Sequence, residues 1–501
     1  MRTCNACAPG PARSVRAPAW LMLGLPMVLL TACAQLPDWQ GKASLDPAIP
    51  VSLQATAHAP QAEWPQDQWW QRYGDSQLNS LISEALQSAP DMAAAMARVQ
   101  QAQALLGVSQ SATAPQLSAS ASVAGDKYSY NYLTPSSMVQ RGLNDTGRVA
   151  LDLRWSLDLW GKYRAAVAAA LGDVQARQAD AAQARLVLAS SVAAAYADLV
   201  RMQVLEQTLT QSLQVRSTTA SLFAERFEYG LENQGSVQSA AARQAAARAE
   251  LLQAQEQLAL QRHHIAVLMG AAPDRGAAIQ IPAATLHQPW QQQWALPGNL
   301  PANLLGRRPD VVAARLQAQA LESRVAAKQA EFYPDVNLSA FIGVQSLGLD
   351  MLTKGGSSIA SVGPAISLPI FNGGRLRSEL GAARAQYDEA VALYRNTLNR
   401  ALQEVADNAV SQRALQQQLQ AMEQAVQAAT EAHRVARNRY EGGLATHLDV
   451  LSAEDQLLVS VRQLVDVQAR ALSLDIALHR ALGGGWQATP ALATAQASPQ
   501  A

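Results

Sequence analysis

The 501-residue chain is long enough for two or three ordinary domains, yet only 5% of its residues are aromatic and 16% are charged, while alanine and glutamine abound. Small and straight-chain residues in such excess favour long helices in close contact. The formal charge is zero and falls to about −3 without the first 32 residues, which hold Arg2, Arg13 and Arg16 and no acid, so no basic face is implied and a nucleic-acid partner is not expected.

The chain opens on an export signal. After the three arginines comes an apolar run from Ala19 to Leu30, interrupted by Pro26, shorter than the roughly 20 residues of a membrane span. It ends in Leu30-Thr31-Ala32-Cys33, which resembles the lipobox of bacterial lipoproteins. That resemblance implies removal of residues 1–32 and a diacylglycerol on the Cys33 thiol. Ala34, where an Asp would retain a lipoprotein, implies sorting to the outer membrane. The plainer alternative is an ordinary Cys beside a small-residue cleavage site. Cys4 and Cys7 form a C-x-x-C, but in the discarded segment, so Cys33 is the sole mature cysteine and no intrachain disulfide is expected. Residues 33–65, punctuated by Pro37, Pro47, Pro50, Pro60 and Pro65, read as a tether; order begins near Trp69-Trp70-Gln71-Arg72-Tyr73.

The rest of the chain is duplicated. A helical pattern starts at Pro90-Asp91 and ends before Pro115; another starts at Pro309-Asp310 and ends before Pro334, both pairs 219 positions apart. Leu157-Asp158-Leu159-Trp160 matches Leu368-Pro369-Ile370-Phe371 at a shift of 211, and Arg226-Phe227-Glu228-Tyr229-Gly230-Leu231 matches Arg439-Tyr440-Glu441-Gly442-Gly443-Leu444 at 213. Two copies this long are not a solenoid. They place one repeat at residues 66–290, a second at 295–486 and a tail at 487–501.

Each copy carries two strand candidates with a period of two, at about 116–125 and 147–160, then about 335–345 and 358–371. Val149, Leu151, Leu153, Trp155, Leu157 and Leu159 alternate with Asp152, Arg154, Ser156 and Asp158. Pro364 and Pro369 should bend the last strand or force a bulge in it. Segments of about ten residues suit a tilted membrane strand, and four strands cannot close a barrel when about eight are the minimum. Copies of the chain must therefore associate. Two would give a barrel filled by side chains, so a conducting tube favours three or more.

The helices complete the architecture. Lys162 to Tyr229 holds Gly172 and no proline, and Arg375 to Glu441 holds Gly381 and no proline. The first would extend roughly 100 Å at helical rise. Return helices follow near Val237–Met269 and Asp449–Leu482. Leu188, Val192, Ala195, Leu199, Met202, Leu209 and Leu213 follow a coiled-coil seam broken at Glu206. Leu451, Leu458, Val465 and Leu472 form one row, and Leu457, Leu464, Ala471 and Leu478 another beside it. Two rows suit the wall of a helical barrel; a plain core helix is the alternative. The fold expected is mainly α with a membrane β-barrel portion. Trp155, Trp160, Tyr128, Tyr130 and Tyr132 are candidates for interfacial aromatic girdles, the tyrosines alternatively for loop packing. HExxH, GxSxG and GxxxxGK[ST] motifs are absent, so an enzyme is not expected. His263 and His264 are adjacent, do not share a helix face, and read as surface residues rather than a metal site.

From Trp69 to Trp486 the pattern resembles the TolC-like outer-membrane efflux proteins, in the lipidated branch of OprM and NodT type. The motifs are Trp69-Trp70-x-x-Tyr73-x-Asp75, Arg307-Arg308-Pro309-Asp310-Val311, Pro369-Ile370-Phe371-Asn372-Gly373-Gly374 and Leu482-Gly483-Gly484-Gly485-Trp486. The resemblance implies a homotrimer with a twelve-stranded barrel in outer-membrane lipid, an α-helical periplasmic barrel, a periplasmic adaptor, an inner-membrane pump and no cofactor. It implies a passive exit duct for small molecules such as drugs, or alternatively a type I secretion channel for protein export. It makes Gly230-Leu231 and Gly443-Leu444 the adaptor-contacting tips, where a simple helix–helix turn is the other reading. It also implies a periplasmic gate of Leu448, Asp449 and Tyr440. The alternative for Asp449 is a capping box begun by Thr446. Ala445 and Ser452 stand where the TolC pattern has an Arg and a second acid, and Arg439 is the substitute charge.

Overall fold

The computed structural model describes residue 39 and residues 42–45, 61–131, 135, 137–282, 296–297 and 306–488. Cys33, the signal segment, most of the tether, Tyr132 and the tail beyond residue 488 lie outside the described residues. In chain order the main elements are α1 Ser76–Ser88, α2 Pro90–Ser111, β1 Gln116–Asp126, β2 Asn144–Leu157, α3 Lys162–Glu228, α4 Gln234–Leu268, α5 Pro309–Ala330, β3 Asp335–Leu347, β4 Ser358–Ser367, α6 Arg375–Glu441 and α7 His447–Ala481. No helix among the described residues is long and apolar enough to cross a membrane. The residues divide into two compact units.

The first unit takes residues 108–168 and 321–387, with Trp39 and Lys42. Its centre is an antiparallel sheet in the order β1-β2-β3-β4. The register sorts its side chains by chemistry. Leu117, Leu153, Ala340 and Val362 are neighbours across the four strands, as are Ala119, Leu151, Ile342 and Ala360. The opposite face aligns Ser118, Asp152, Phe341 and Ser361, and Gln116, Arg154, Ser339 and Gly363. On that polar face Ser120 donates to Asp152 at 2.8 Å, Ser156 to Asn337 at 2.6 Å, and the Arg148 guanidinium lies 5.1 Å from the Phe341 ring. The apolar face is left open: Leu117, Ile342, Val362 and Ile366 are exposed. In water each would forgo about 2 kcal/mol of burial, so this face is built for another medium or another surface.

Two strands end sooner than their alternation suggests. β2 stops at Leu157, not Trp160, because Asp158 turns to the start of α3 and accepts from the Tyr163 and Arg164 amides at 3.1 and 2.8 Å. β4 stops at Ser367, two residues before Pro369, which has no N–H for a ladder. Pro364 stays within β4, opposite Leu338, on a strand that has a neighbour on one side only. Beyond β2, the Trp160 indole N–H donates to the Pro334 carbonyl at 2.8 Å and stacks on Tyr333 at 5.0 Å, while Trp155 donates to the Thr113 carbonyl at 3.1 Å. The Tyr130 hydroxyl accepts from the Gly142 amide at 2.9 Å, a bond made within its loop.

The second unit takes residues 43–107, 169–320 and 388–488, so far as they are described. Trp69, Trp70 and Tyr73 form a 3-10 turn buried with Leu81, Ile82, Tyr196, Leu199, Ile265, Met269 and Ile476. Asp75 caps α1, accepting from the Gln77 and Leu78 amides, and also takes the Tyr196 hydroxyl at 2.7 Å. Tyr73 donates to Asp475 at 2.6 Å, and its burial pushes the phenol well above its ordinary range. The Trp-Trp-x-x-Tyr-x-Asp motif is thus a core plug with one polar link at each end.

The second copy is tied differently. Arg308 is 5% exposed and donates to both oxygens of Asp310, to Glu404 at 2.7 Å and to the Ala481 carbonyl at 3.2 Å. Burial lowers its pKa, but Asp310 and Glu404 outweigh that and leave it raised. One guanidinium therefore joins the start of α5, the middle of α6 and the end of α7. The closing glycines fit because nothing else would: Gly483, Gly484 and Gly485 all have positive φ, and a Cβ would meet the Arg307 carbonyl, the Leu186 side chain and the Gln66 backbone at 2.1, 2.3 and 2.1 Å. Along α3, Leu188, Val192, Ala195, Leu199 and Leu209 are buried, whereas the two α7 rows are half-buried between Leu457 and Ala471. Such half-burial in one chain matches a helix with a second side still to be covered.

Candidate functional site: the two helical hairpin tips

The second unit holds two hairpin turns with one backbone design. At the end of α3 the Leu231 amide donates to the Arg226 carbonyl at 2.8 Å, and the Gly230 amide to the Phe227 carbonyl at 2.9 Å. At the end of α6 the Leu444 amide donates to Arg439 at 2.8 Å, and the Gly443 amide to Tyr440 at 3.0 Å. Both are Schellman turns, and the glycines supply the required positive φ, 71° at Gly230 and 72° at Gly443. In such a turn the residue after the glycine commonly packs on the residue five before it. Here those residues are Arg226 and Arg439, which offer no apolar surface of that kind. Leu231 and Leu444 accordingly point outward, 66% and 73% exposed. Tyr229 and Leu448 are exposed beside them.

The helices that leave the turns begin differently. α4 is capped by Asn233, whose side chain accepts from the Ser236 amide at 3.0 Å. α7 begins with a capping box: the Asp449 carboxylate accepts from the Thr446 backbone amide at 2.8 Å and from the Thr446 hydroxyl at 2.7 Å. Those bonds, the hydroxyl first, hold the Asp449 carboxyl below its ordinary range, with a smaller contribution from Arg439. Arg439 itself donates to the Leu444 carbonyl at 3.4 Å. Tyr440 faces His447, ring centroids 5.1 Å apart, and its hydroxyl is buried without a hydrogen-bond partner. The four gate candidates therefore sit together at the second tip. Asp449 and Tyr440 are not bonded to each other, and the carboxylate is engaged within its own helix start.

About two turns deeper lies a charged cluster that the sequence does not announce. Arg216 of α3 donates to Asp455 of α7 at 2.8 Å, and Arg243 of α4 donates to the other oxygen of Asp455. Glu454 is buried, 3.8 Å from Arg216, and its burial raises its pKa while Arg216 opposes that shift. The acids are neighbours in sequence, but the arginines come from the other repeat, so only packing brings them together. His263 and His264 are both exposed, and no group of three His, Cys, Asp or Glu suited to a metal occurs among the described residues.

The profile of the outer membrane efflux protein family matches residues 81–271 and 300–484. The multidrug resistance outer membrane protein MdtP of Escherichia coli K12 is 30% identical over 447 residues, 88% of this chain and 91% of that protein. The fusaric acid resistance protein FusA of Burkholderia cepacia is 35% identical over 367 residues, 72% of this chain and 68% of that one. Among solved structures, the outer membrane protein VceC of Vibrio cholerae is 46% identical with a TM-score of 0.78, covering 85% of this chain and all of that one. The outer-membrane channel OprN is 28% identical with a TM-score of 0.80, over 91% of this chain. The chain belongs to the outer membrane efflux protein family and is a channel protein, not an enzyme.

Proposed function

We propose that three copies of this chain form a lipid-anchored exit duct through which small toxic molecules, handed over by an inner-membrane pump and a periplasmic adaptor, leave the cell. The observation that carries this reading is the sheet. It has four strands, one apolar and one polar face, and an outer strand at each side, β1 and β4. A membrane barrel needs its edges paired and its apolar side toward lipid, and about eight strands are the least that close. Three copies give twelve strands with the Ser, Asp and Arg face lining the lumen. The long helices α3 and α6 supply the periplasmic wall, and the half-covered rows of α7 take up neighbouring copies.

In this reading Cys33 carries the lipid, residues 33–65 tether it, and the repeats at 66–290 and 295–486 are the two halves of each protomer. Leu231 and Leu444, with Gly230 and Gly443 fixing their direction, dock the adaptor. Leu448, Asp449, Tyr440 and Arg439 form the periplasmic gate, where a threefold ring of Asp449 would favour cations. The cargo class follows relatives named for multidrug and fusaric acid resistance.

The test is reconstitution of the purified full chain into planar bilayers. Discrete conductance steps are expected, and Asp449→Ala should change their size or ion selectivity. Bilayers that stay silent contradict the duct, and an Asp449→Ala trace equal to the wild type leaves that residue only its helix-capping role. Separately, Cys33→Ala should abolish palmitate labelling; labelling that persists contradicts the anchor.

A further inference from the structure

The capping box explains Asp449 but not its neighbour. The His447 ring lies 4.1 Å from the Phe223 ring of α3 and 5.1 Å from the Tyr440 ring of α6, edge-on to both. Both imidazole nitrogens are shut off from solvent, and neither has a hydrogen-bond partner. The Arg226 guanidinium lies 5.7 Å from the far ring, that of Tyr440, and its Nε is likewise buried without a partner. An imidazole is thus used as a flat apolar wedge between the two repeats. A phenylalanine would fill that role without two desolvated nitrogens. The polar ring makes physical sense where a second, hydrated state is also used.

The charges around it point to when that state forms. Arg226 faces it from α3 and Arg243 from α4, and Glu232 faces it from the first tip. Tyr440 of α6 brings no charge, and Asp449 on its own helix is held by Thr446. Burial pushes the imidazole below its ordinary value; Glu232 opposes this, and Arg226 and Arg243 add to it.

We propose that His447 is a positioning residue for the gate: neutral, it wedges the start of α7 against Phe223 and Tyr440 and so fixes Leu448 and Asp449; protonated, it leaves the cage and lets the tip open. A proton taken from water would place a cation and two N–H donors among aromatic rings beside two arginines, and withdrawal of the ring to solvent relieves both. Because the folded value is depressed below the ordinary 6.5, the wedge is fully present above that value and is lost as pH falls through the folded one. Asp449 keeps its cap in that window, since its own folded value lies below 3.8. The inference rests on the duct reading for its consequence, not for its contact.

Two measurements on the full-length protein test it. In planar bilayers, conductance should rise several-fold as pH falls from about 7.5 through the depressed imidazole value to about 4.5 for the wild type, and stay low at both ends for His447→Phe. His447→Lys, charged throughout, should be high at both. Equal pH responses in the wild type and His447→Phe overturn the proposal. A nitroxide on Leu448→Cys reports the tip without conduction: its spectrum should mobilise in acid with His447 present and stay unchanged with His447→Phe. Acid mobilisation beside silent bilayers supports the wedge and removes the duct; channel steps beside a nitroxide equally immobile at both pH values remove the wedge and keep the duct.

Discussion

The two hairpin tips share a backbone and differ in chemistry. Both end a 67-residue helix in a Gly-Leu Schellman turn that projects a leucine. The first then starts its return helix with a single amide cap from Asn233, all of it local. The second starts with a capping box and places His447 against α3, a helix of the other repeat. Duplication preserved the part that faces outward and diverged in the part that faces the neighbouring helices. Two equivalent ends thus became one plain projection and one projection joined to a movable helix start.

The largest effect should come from what the tips share. Leu231→Glu together with Leu444→Glu is expected to reduce drug resistance to that of a deletion strain while the amount of protein in the outer membrane is unchanged. Undiminished resistance would show that the leucines dock nothing. Single substitutions sharpen the comparison, since equal losses mean equal docking. Next, Gly230→Val and Gly443→Val should each cost about 1–2 kcal/mol for a side chain at positive φ, visible as faster amide exchange in the last turns of α3 and α6. A clear inequality would break the equivalence of the turns. The smallest effects should separate the helix starts. Asn233→Ala should weaken α4 by about 1 kcal/mol with no pH dependence. Asp449→Asn should loosen the first turn of α7 at neutral pH. In the wild type that contribution is present above the ordinary 3.8 and lost as pH falls through the lower folded value, so amide protection there should fail only in strong acid.

Much of this architecture was legible because it is periodic or punctuated. α3 and α6 follow from long runs with one glycine and no proline, and the strands from alternation such as Val149 to Leu157. The ends were less legible where a side chain overrides the pattern. The alternation runs to Trp160, but Asp158 caps α3 and stops the strand at Leu157. Asp449 fits both a gate and a cap in the sequence, and the hydrogen bonds show the cap. The cage of His447 and the cluster of Arg216, Arg243, Glu454 and Asp455 were not legible at all. Each sets residues of one repeat against residues of the other more than 200 positions away, on helices whose own patterns do not mark them. Only cross-repeat packing brings them within reach.

In the proposed duct the sheet closes with copies of itself. Native mass measurement of the full-length protein in mild detergent tests it directly. Three copies per particle is the result predicted. A monomer holding the same fold would contradict the account, because its β1 and β4 edges and its apolar face would have no copy to meet.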